Sequence, residues 1–99
     1  MLTEKVSQLL NDQITKEFYS AYLYLGFSNF YVEQGLNGFA NWYQVQAQEE
    51  RDHAMLFLQY LRNNDAKVTL KAIGKPSAAL KDNKDPLNAA LAHEQYVTS

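Results

Sequence analysis

The 99-residue sequence contains no cysteine, which excludes disulfide bonds, thiolate metal sites and a cysteine nucleophile. It has only four glycines and two prolines, and this scarcity favours long helices over many short strands. No apolar run approaches the roughly 20 residues that a membrane-spanning helix needs. The charged, amphipathic N-terminus does not have the pattern of a secretory signal. We therefore expect a cytoplasmic protein with no membrane partner.

The charges are nearly balanced, with nine Lys and Arg against eleven Asp and Glu and a net charge of −2. A chain dedicated to nucleic acid is normally basic, so no nucleic-acid partner is expected. The hydrophobic fraction of 46% excludes intrinsic disorder, and the length predicts a single domain.

Hydrophobic periodicity predicts an all-α fold. The expected segments are helix 1 at about 3–34, helix 2 at about 38–64, a crossover loop at about 66–84 and the start of helix 3 at about 86–99. Gly35 as a C-cap and Asn37 as an N-cap predict a tight turn, so helices 1 and 2 form a long αα-hairpin. The crossover is long enough to pass across the end of a bundle. Asp85-Pro86 is typical of a helix start.

Each predicted helix has an apolar stripe that we expect to be buried. The stripes are Val6, Leu10, Ile14, Ala21, Leu25 and Val32; Phe39, Tyr43, Ala47, Ala54, Phe57 and Leu61; and Leu87, Ala90, Leu91 and Val97. Helix 1 also carries large apolar residues away from its stripe, namely Tyr19, Tyr22, Leu23 and Phe30. A helix that is apolar on two sides is buried on two sides. The second side is therefore expected to contact another subunit, where aromatic residues are favoured.

One carboxylate interrupts the centre of each stripe: Glu17, Glu50 and Glu94. His53 follows Glu50 by three residues, and residues at this spacing are neighbours on one helix face. Unpaired buried carboxylates are destabilising by several kcal/mol each, and three that converge also repel one another. A multivalent cation resolves this, and carboxylates with an imidazole suit iron, manganese or zinc. The alternative is a metal-free helical interaction module whose carboxylates are protonated or lie at the rim.

The segments LLNDQITKEFYSAYLYL, QAQEERDHA and HEQ carry these residues in order. With them the chain resembles a prokaryotic-type non-haem ferritin, of which it matches the N-terminal part, about 60% of a subunit. The resemblance extends over nearly the whole sequence. It implies a ferritin-like helix bundle that oxidises Fe(II) to Fe(III) with O₂ or peroxide. It also implies storage of the ferric mineral in a homo-oligomeric shell.

The resemblance also implies a role for each candidate ligand. Glu17 and His53 would bind the first iron of a dinuclear non-haem centre. Glu50 would bridge the two ions, and Glu94 would bind the second. Glu49 matches a position that helps to hold a third, weaker iron.

Two further positions follow from the resemblance. Tyr24 matches a catalytic tyrosine that gives up an electron while the oxidant is reduced. The helical wheel places it about 20° from Glu17, so a core tyrosine bonded to a buried carboxylate is an equal interpretation. Haem-binding relatives have a methionine directly after the bridging glutamate, whereas this chain has Arg51. No haem is therefore expected.

A ferritin subunit needs a full third helix and a fourth, and we expect both to be largely absent from this sequence. We expect either a fragment of a longer subunit or a chain completed by partners. In the second case, two hairpins pair face to face as a dimer and supply two glutamates and two Glu-x-x-His motifs. In that dimer Glu94 has no role. The same ligands suit Zn(II) as well as iron, so the sequence does not decide between the two metals.

Overall fold

A computed structural model describes residues 2–75 and 85–98, without the side chains of 85 and 94–98. Its helices are α1 (Glu4–Glu33), α2 (Asn37–Asn63) and α3 (Asp85–Thr98). The bounds expected from the sequence differ from these by one residue at each end, so Asn37 is the first residue of α2 rather than its N-cap. No strand occurs in the described ranges. None of their helices has the length and apolar composition needed to cross a membrane.

The turn between α1 and α2 follows from the conformation of Gly35. Its φ of 75° lies in the left-handed region, which glycine adopts without steric cost. The Gly35 N–H donates to the Val32 carbonyl at 3.0 Å, and the Leu36 N–H donates to the Tyr31 carbonyl at 2.9 Å. This pair of bonds is the Schellman motif, which ends a helix and reverses the chain. The hairpin therefore closes within three residues.

The hairpin core consists of two apolar clusters. One lies near the turn and contains Leu23, Tyr24, Phe27, Phe30, Tyr31, Ala40, Tyr43 and Ala47. The other lies near the open end and contains Ile14, Ala54, Leu58 and Leu61. On α1, Glu17 falls between the clusters, and on α2 Glu50 does the same. The candidate ligands thus occupy a polar layer between two apolar ones.

The predicted faces of α1 are partly wrong. Leu25 and Val32, expected in the core, are 51% and 55% exposed. Leu23 and Phe30, expected at a subunit contact, are instead buried within the chain. Their cluster packs against α3, which covers that side of α1 and leaves the other open. Val6 and Phe39, also predicted as core residues, are exposed as well.

The third helix buries a different face from the predicted one. Leu87 and Leu91, expected in its stripe, are exposed, while Pro86 and His93 are buried. The short side chains of Ala89 and Ala90 pack against the cluster near the turn. The side chain of Val97 lies outside the described residues. Ala89 and Ala90 therefore form an apolar part of the contact between α3 and the hairpin.

Residues 66–75 follow α2 without regular secondary structure and are held by the buried side chain of Asn11. The Asn11 amide donates to the Lys67 carbonyl at 3.0 Å and accepts from the Thr69 N–H at 2.8 Å. Lys71 also forms an ion pair with Asp12. Residues 76–84, the rest of the predicted crossover, lie outside the described residues.

Candidate metal centre

Three of the predicted ligands lie together in the hairpin. Glu17 comes from α1, while Glu50 and His53 come from successive turns of α2. One donor atom from each lies within 4.8 Å of the other two. His53 Nδ1 is 3.7 Å from Glu17 Oε2 and 3.5 Å from Glu50 Oε2. Donor atoms about 2.1 Å from one tetrahedral ion are roughly 3.4 Å apart, so the three side chains fit a single metal ion with small shifts.

Glu17 has the most buried side chain of the three candidate ligands. The residue is 6% exposed, and its Oε1 accepts a 2.9 Å hydrogen bond from Gln13 Nε2. Its Oε2 is buried and has no hydrogen-bond partner among the described residues. A buried acceptor in this condition is destabilising, more so when charged. A cation between Glu17, Glu50 and His53 satisfies this oxygen.

The site is open on one side. The His53 side chain is 55% exposed, and a cavity of about 400 Å³ lies beside it. The cavity is lined by Tyr24, Trp42, Tyr43, Gln46, Glu49, Glu50, His53, Leu87, Ala90 and Leu91. An ion therefore has a route from solvent to the ligands, between α2 and α3.

The other two predicted metal ligands are placed differently. Glu49 is exposed and borders the cavity, outside the group of three. Position 94 lies on α3, but the Glu94 side chain is outside the described residues. The structure therefore brings together Glu17, Glu50 and His53, and the roles of Glu49 and Glu94 stay predictions.

Tyr24 is buried at the wall of the same cavity. Its ring centroid lies 5.8 Å from that of Tyr43 and 6.1 Å from that of His93, the latter edge-on. Burial, with a smaller contribution from Tyr31, raises the pKa of the Tyr43 phenol to about 12. Tyr24 thus lies among aromatic rings in the cavity that Glu50 and His53 also line, with Tyr43 as a protonated neighbour.

Sequence reasoning missed a buried polar pair near the site. His93 Nε2 lies 2.5 Å from Ser20 Oγ. Ser20 follows Glu17 by three residues, so it belongs to the same buried face of α1. That spacing was the available signal, because a hydroxyl on a buried face requires a partner.

The chain matches the model of a known protein family. A family model described as Ferritin-like domain matches residues 7–99. The chain belongs to the ferritin family. This ferritin-family chain is 38% identical over 98 residues to the bacterial non-heme ferritin of Campylobacter jejuni, covering 99% of the chain and 59% of that relative. It is also 37% identical over 99 residues to a probable bacterial non-heme ferritin-like protein of Haemophilus influenzae, covering 100% of the chain and 60% of the relative.

Solved ferritin structures have the same fold. An engineered closed form of the Archaeoglobus fulgidus ferritin superposes with a TM-score of 0.94 at 37% identity, covering 99% of this chain and 60% of that one. The predicted all-α ferritin-like bundle and the family resemblance are confirmed. This ferritin-family chain spans about 60% of the length of the relatives that it matches.

Proposed function

We propose that the chain binds Fe(II) between Glu17, Glu50 and His53 and contributes this site to a ferritin that oxidises and stores iron. The observation that carries the proposal is the buried Oε2 of Glu17, which accepts no hydrogen bond from the described residues and lies 3.7 Å from His53 Nδ1. In a metal-free interaction module this oxygen has only the 3.7 Å contact with His53 and no hydrogen bond within the described residues. With a bound cation it is a ligand.

Fe(II) is a substrate of this site. Carboxylate ligands stabilise Fe(III) more than Fe(II), so they favour loss of one electron from each ion to O₂ or peroxide. We propose a dinuclear centre in which Glu17 and His53 hold the first ion and Glu50 bridges to the second. Glu94 then binds the second ion, and Glu49 at the cavity rim helps to hold a third.

Tyr24 is proposed as an electron donor during reduction of the oxidant. It is 3% exposed and lies at the wall of the cavity that Glu50 and His53 also line. Its aromatic surroundings separate it from competing reductants in solution. The chain supplies no methionine after Glu50, and we propose chemistry without haem.

We propose that the iron-storing form is a homo-oligomeric shell, because relatives that share this fold are ferritins. A second candidate is a dimer of hairpins that face each other across the metal centre. It is favoured by the open side of the site, where Trp42 and Leu91 are exposed next to His53. Light scattering distinguishes a particle of hundreds of kDa from one of twice the 11.4 kDa chain mass.

The test of the metal site is anaerobic Fe(II) titration followed by measurement of Fe(III) formation in air. The wild-type chain is expected to bind Fe(II) and to accelerate its oxidation, and the double variant Glu50→Gln/His53→Ala to do neither. Asp52→Asn is the matched control, since Asp52 is an exposed carboxylate next to His53. Equal binding by the wild-type chain and the double variant contradicts the proposal.

A further inference from the structure

The contact between α1 and α3 contains a buried polar pair that the proposed iron chemistry does not use. His93 is 9% exposed and Ser20 is 1% exposed. Their hydrogen bond joins residues 73 positions apart in sequence. The His93 ring also packs against Tyr19 and Tyr24, at centroid distances of 5.6 and 6.1 Å. Groups buried to this extent contribute stability only in a matched geometry.

The proton positions of this pair follow from the hydroxyl of Ser20. Ser20 Oγ lies 2.9 Å from the Lys16 carbonyl, one turn earlier on α1. A hydroxyl has one proton to donate and lone pairs to accept. If that proton goes to Lys16, Ser20 accepts from an N–H at His93 Nε2, and both bonds are satisfied. In the opposite tautomer His93 Nε2 carries no proton and is an acceptor. The single hydroxyl proton of Ser20 would then face two acceptors, Nε2 and the Lys16 carbonyl, and could satisfy only one of them. In the arrangement that satisfies both hydrogen bonds, His93 Nε2–H donates to Ser20 Oγ and the Ser20 hydroxyl donates to the Lys16 carbonyl.

The other packed side chains described on α3 are apolar, since Pro86 is buried and Ala89 and Ala90 are half-buried. Ala89 and Ala90 pack on the apolar cluster near the turn, and methyl contacts of this kind are not directional. A hydrogen bond weakens steeply when its atoms move out of line. Successive residues of a helix differ by about 100° in direction and 1.5 Å in height. The rotation that places His93 on Ser20 therefore also sets the direction of position 94.

We propose that the Ser20–His93 hydrogen bond is the positioning contact that holds α3 in register with α1 and brings position 94 to the second metal of the proposed centre. His93 is a positioning residue, acting through the backbone of α3 at position 94 and through its edge-on contact with the Tyr24 ring. The inference rests on the proposed metal function, because without a second metal the register of α3 has no ligand to place.

The variants separate the hydrogen bond from the volume of the side chain. His93→Gln places an amide N–H close to the position of Nε2 and is expected to restore the bond. His93→Asn is shorter, reaches only the position of Nδ1, and is expected to fail. Ser20→Ala removes the acceptor from the other side. Asn88→Ala is the matched control, because Asn88 is an exposed polar residue of the same helix.

The first readout is amide hydrogen exchange of residues 85–98 in the metal-free chain. Loss of a buried neutral hydrogen bond corresponds to a roughly five- to tenfold fall in protection. We expect this fall in Ser20→Ala and His93→Asn, recovery in His93→Gln, and no change in Asn88→Ala. Combining Ser20→Ala with His93→Asn is expected to add nothing to either change alone. Nitrogen-15 NMR is expected to show the proton of neutral His93 on Nε2.

The second readout is titration with Co(II), whose absorption reports ligand number and geometry. The wild-type chain is expected to bind one Co(II) at Glu17, Glu50 and His53 and a second, weaker one. Ser20→Ala and His93→Asn are expected to weaken only the second, by a similar five- to tenfold factor.

The two readouts have distinct failures. The proposal is overturned if Ser20→Ala and His93→Asn change neither the amide hydrogen exchange of residues 85–98 nor the Co(II) affinity of the second site. It is also overturned if the wild-type chain binds only one Co(II). Absence of any Co(II) binding refutes the proposed metal centre and with it the link to position 94. In that case the exchange data still decide whether the pair anchors α3.

Discussion

Replacing Glu17 with glutamine tests whether this buried carboxylate is retained for metal binding at the expense of stability. The residue is 6% exposed and Oε1 accepts one hydrogen bond from Gln13. Oε2 has no hydrogen-bond partner in the described part of the chain and lies 3.7 Å from His53 Nδ1. Leaving a buried acceptor unsatisfied costs about 1–3 kcal/mol, and more for a charged one. Glutamine keeps the shape, removes the charge beside Glu50 and supplies an N–H.

We therefore expect the metal-free Glu17→Gln variant to be more stable than the wild-type chain by about 1–2 kcal/mol. For a domain of 60–100 residues, each kcal/mol raises Tm by roughly 4–8 °C. Metal binding reverses the order. At a Zn(II) concentration of 100 times Kd, the wild-type chain gains about 2.7 kcal/mol. The variant gains less because it has lost an anionic ligand.

The assay is thermal unfolding of both chains, first with a chelator and then with Zn(II). Glu33→Gln is the control, since Glu33 is an exposed carboxylate on the same helix that accepts from Asn29. Its stability is expected to stay within about 0.5 kcal/mol of wild type. A metal-free Glu17→Gln variant less stable than the wild-type chain refutes the reasoning. An equal rise of Tm with Zn(II) in both chains does so as well.

Three further predictions concern the surroundings of the site. The pKa of Tyr43 is about 12 in the folded chain against 10.0 for its ordinary value, so above pH 10 the unfolded chain loses this proton first. The free energy of unfolding should therefore fall by on the order of 2 kcal/mol as pH rises from 10 to 12. Denaturant unfolding of Tyr43→Phe should lack this part of the fall. If the free energy of unfolding depends on pH equally in the variant and the wild-type chain, Tyr43 is not its source. Asn11→Ala leaves the Lys67 carbonyl and the Thr69 N–H without their partner and should destabilise by about 2–3 kcal/mol in urea unfolding. A change within about 0.5 kcal/mol would show that water replaces the amide. Tyr24→Phe should slow Fe(III) formation while leaving anaerobic Fe(II) stoichiometry unchanged; a loss of binding instead assigns Tyr24 to packing around the ligands.

The hairpin was predictable because its signals are local. Gly35 ends α1, and apolar residues at helical spacing define both long helices. The metal group was also accessible, since Glu50 and His53 are one turn apart and Glu17 interrupts the opposite stripe. These residues lie together in the structure, whereas their roles as ligands stay predictions.

The wrong faces of α1 have a physical cause. Leu23 and Phe30 lie seven residues apart on one edge of the buried stripe, and Leu25 and Val32 lie seven apart on the other. Hydropathy does not distinguish the two edges. The position of α3 decides between them, and α3 follows a long connection whose path hydrophobic periodicity does not specify. The Ser20–His93 pair escaped prediction for the same reason, because it depends on that path.

Asn11 also has a consequence for the order of folding. Its amide pairs with a carbonyl and an N–H two residues apart, much as one residue of a β-strand pairs with its neighbour. These bonds join residues 56 and 58 positions apart, so they form only after the hairpin has brought the ends of α1 and α2 together. The segment after α2 therefore closes late, and substitutions at Asn11 should accelerate unfolding while leaving the folding rate nearly unchanged.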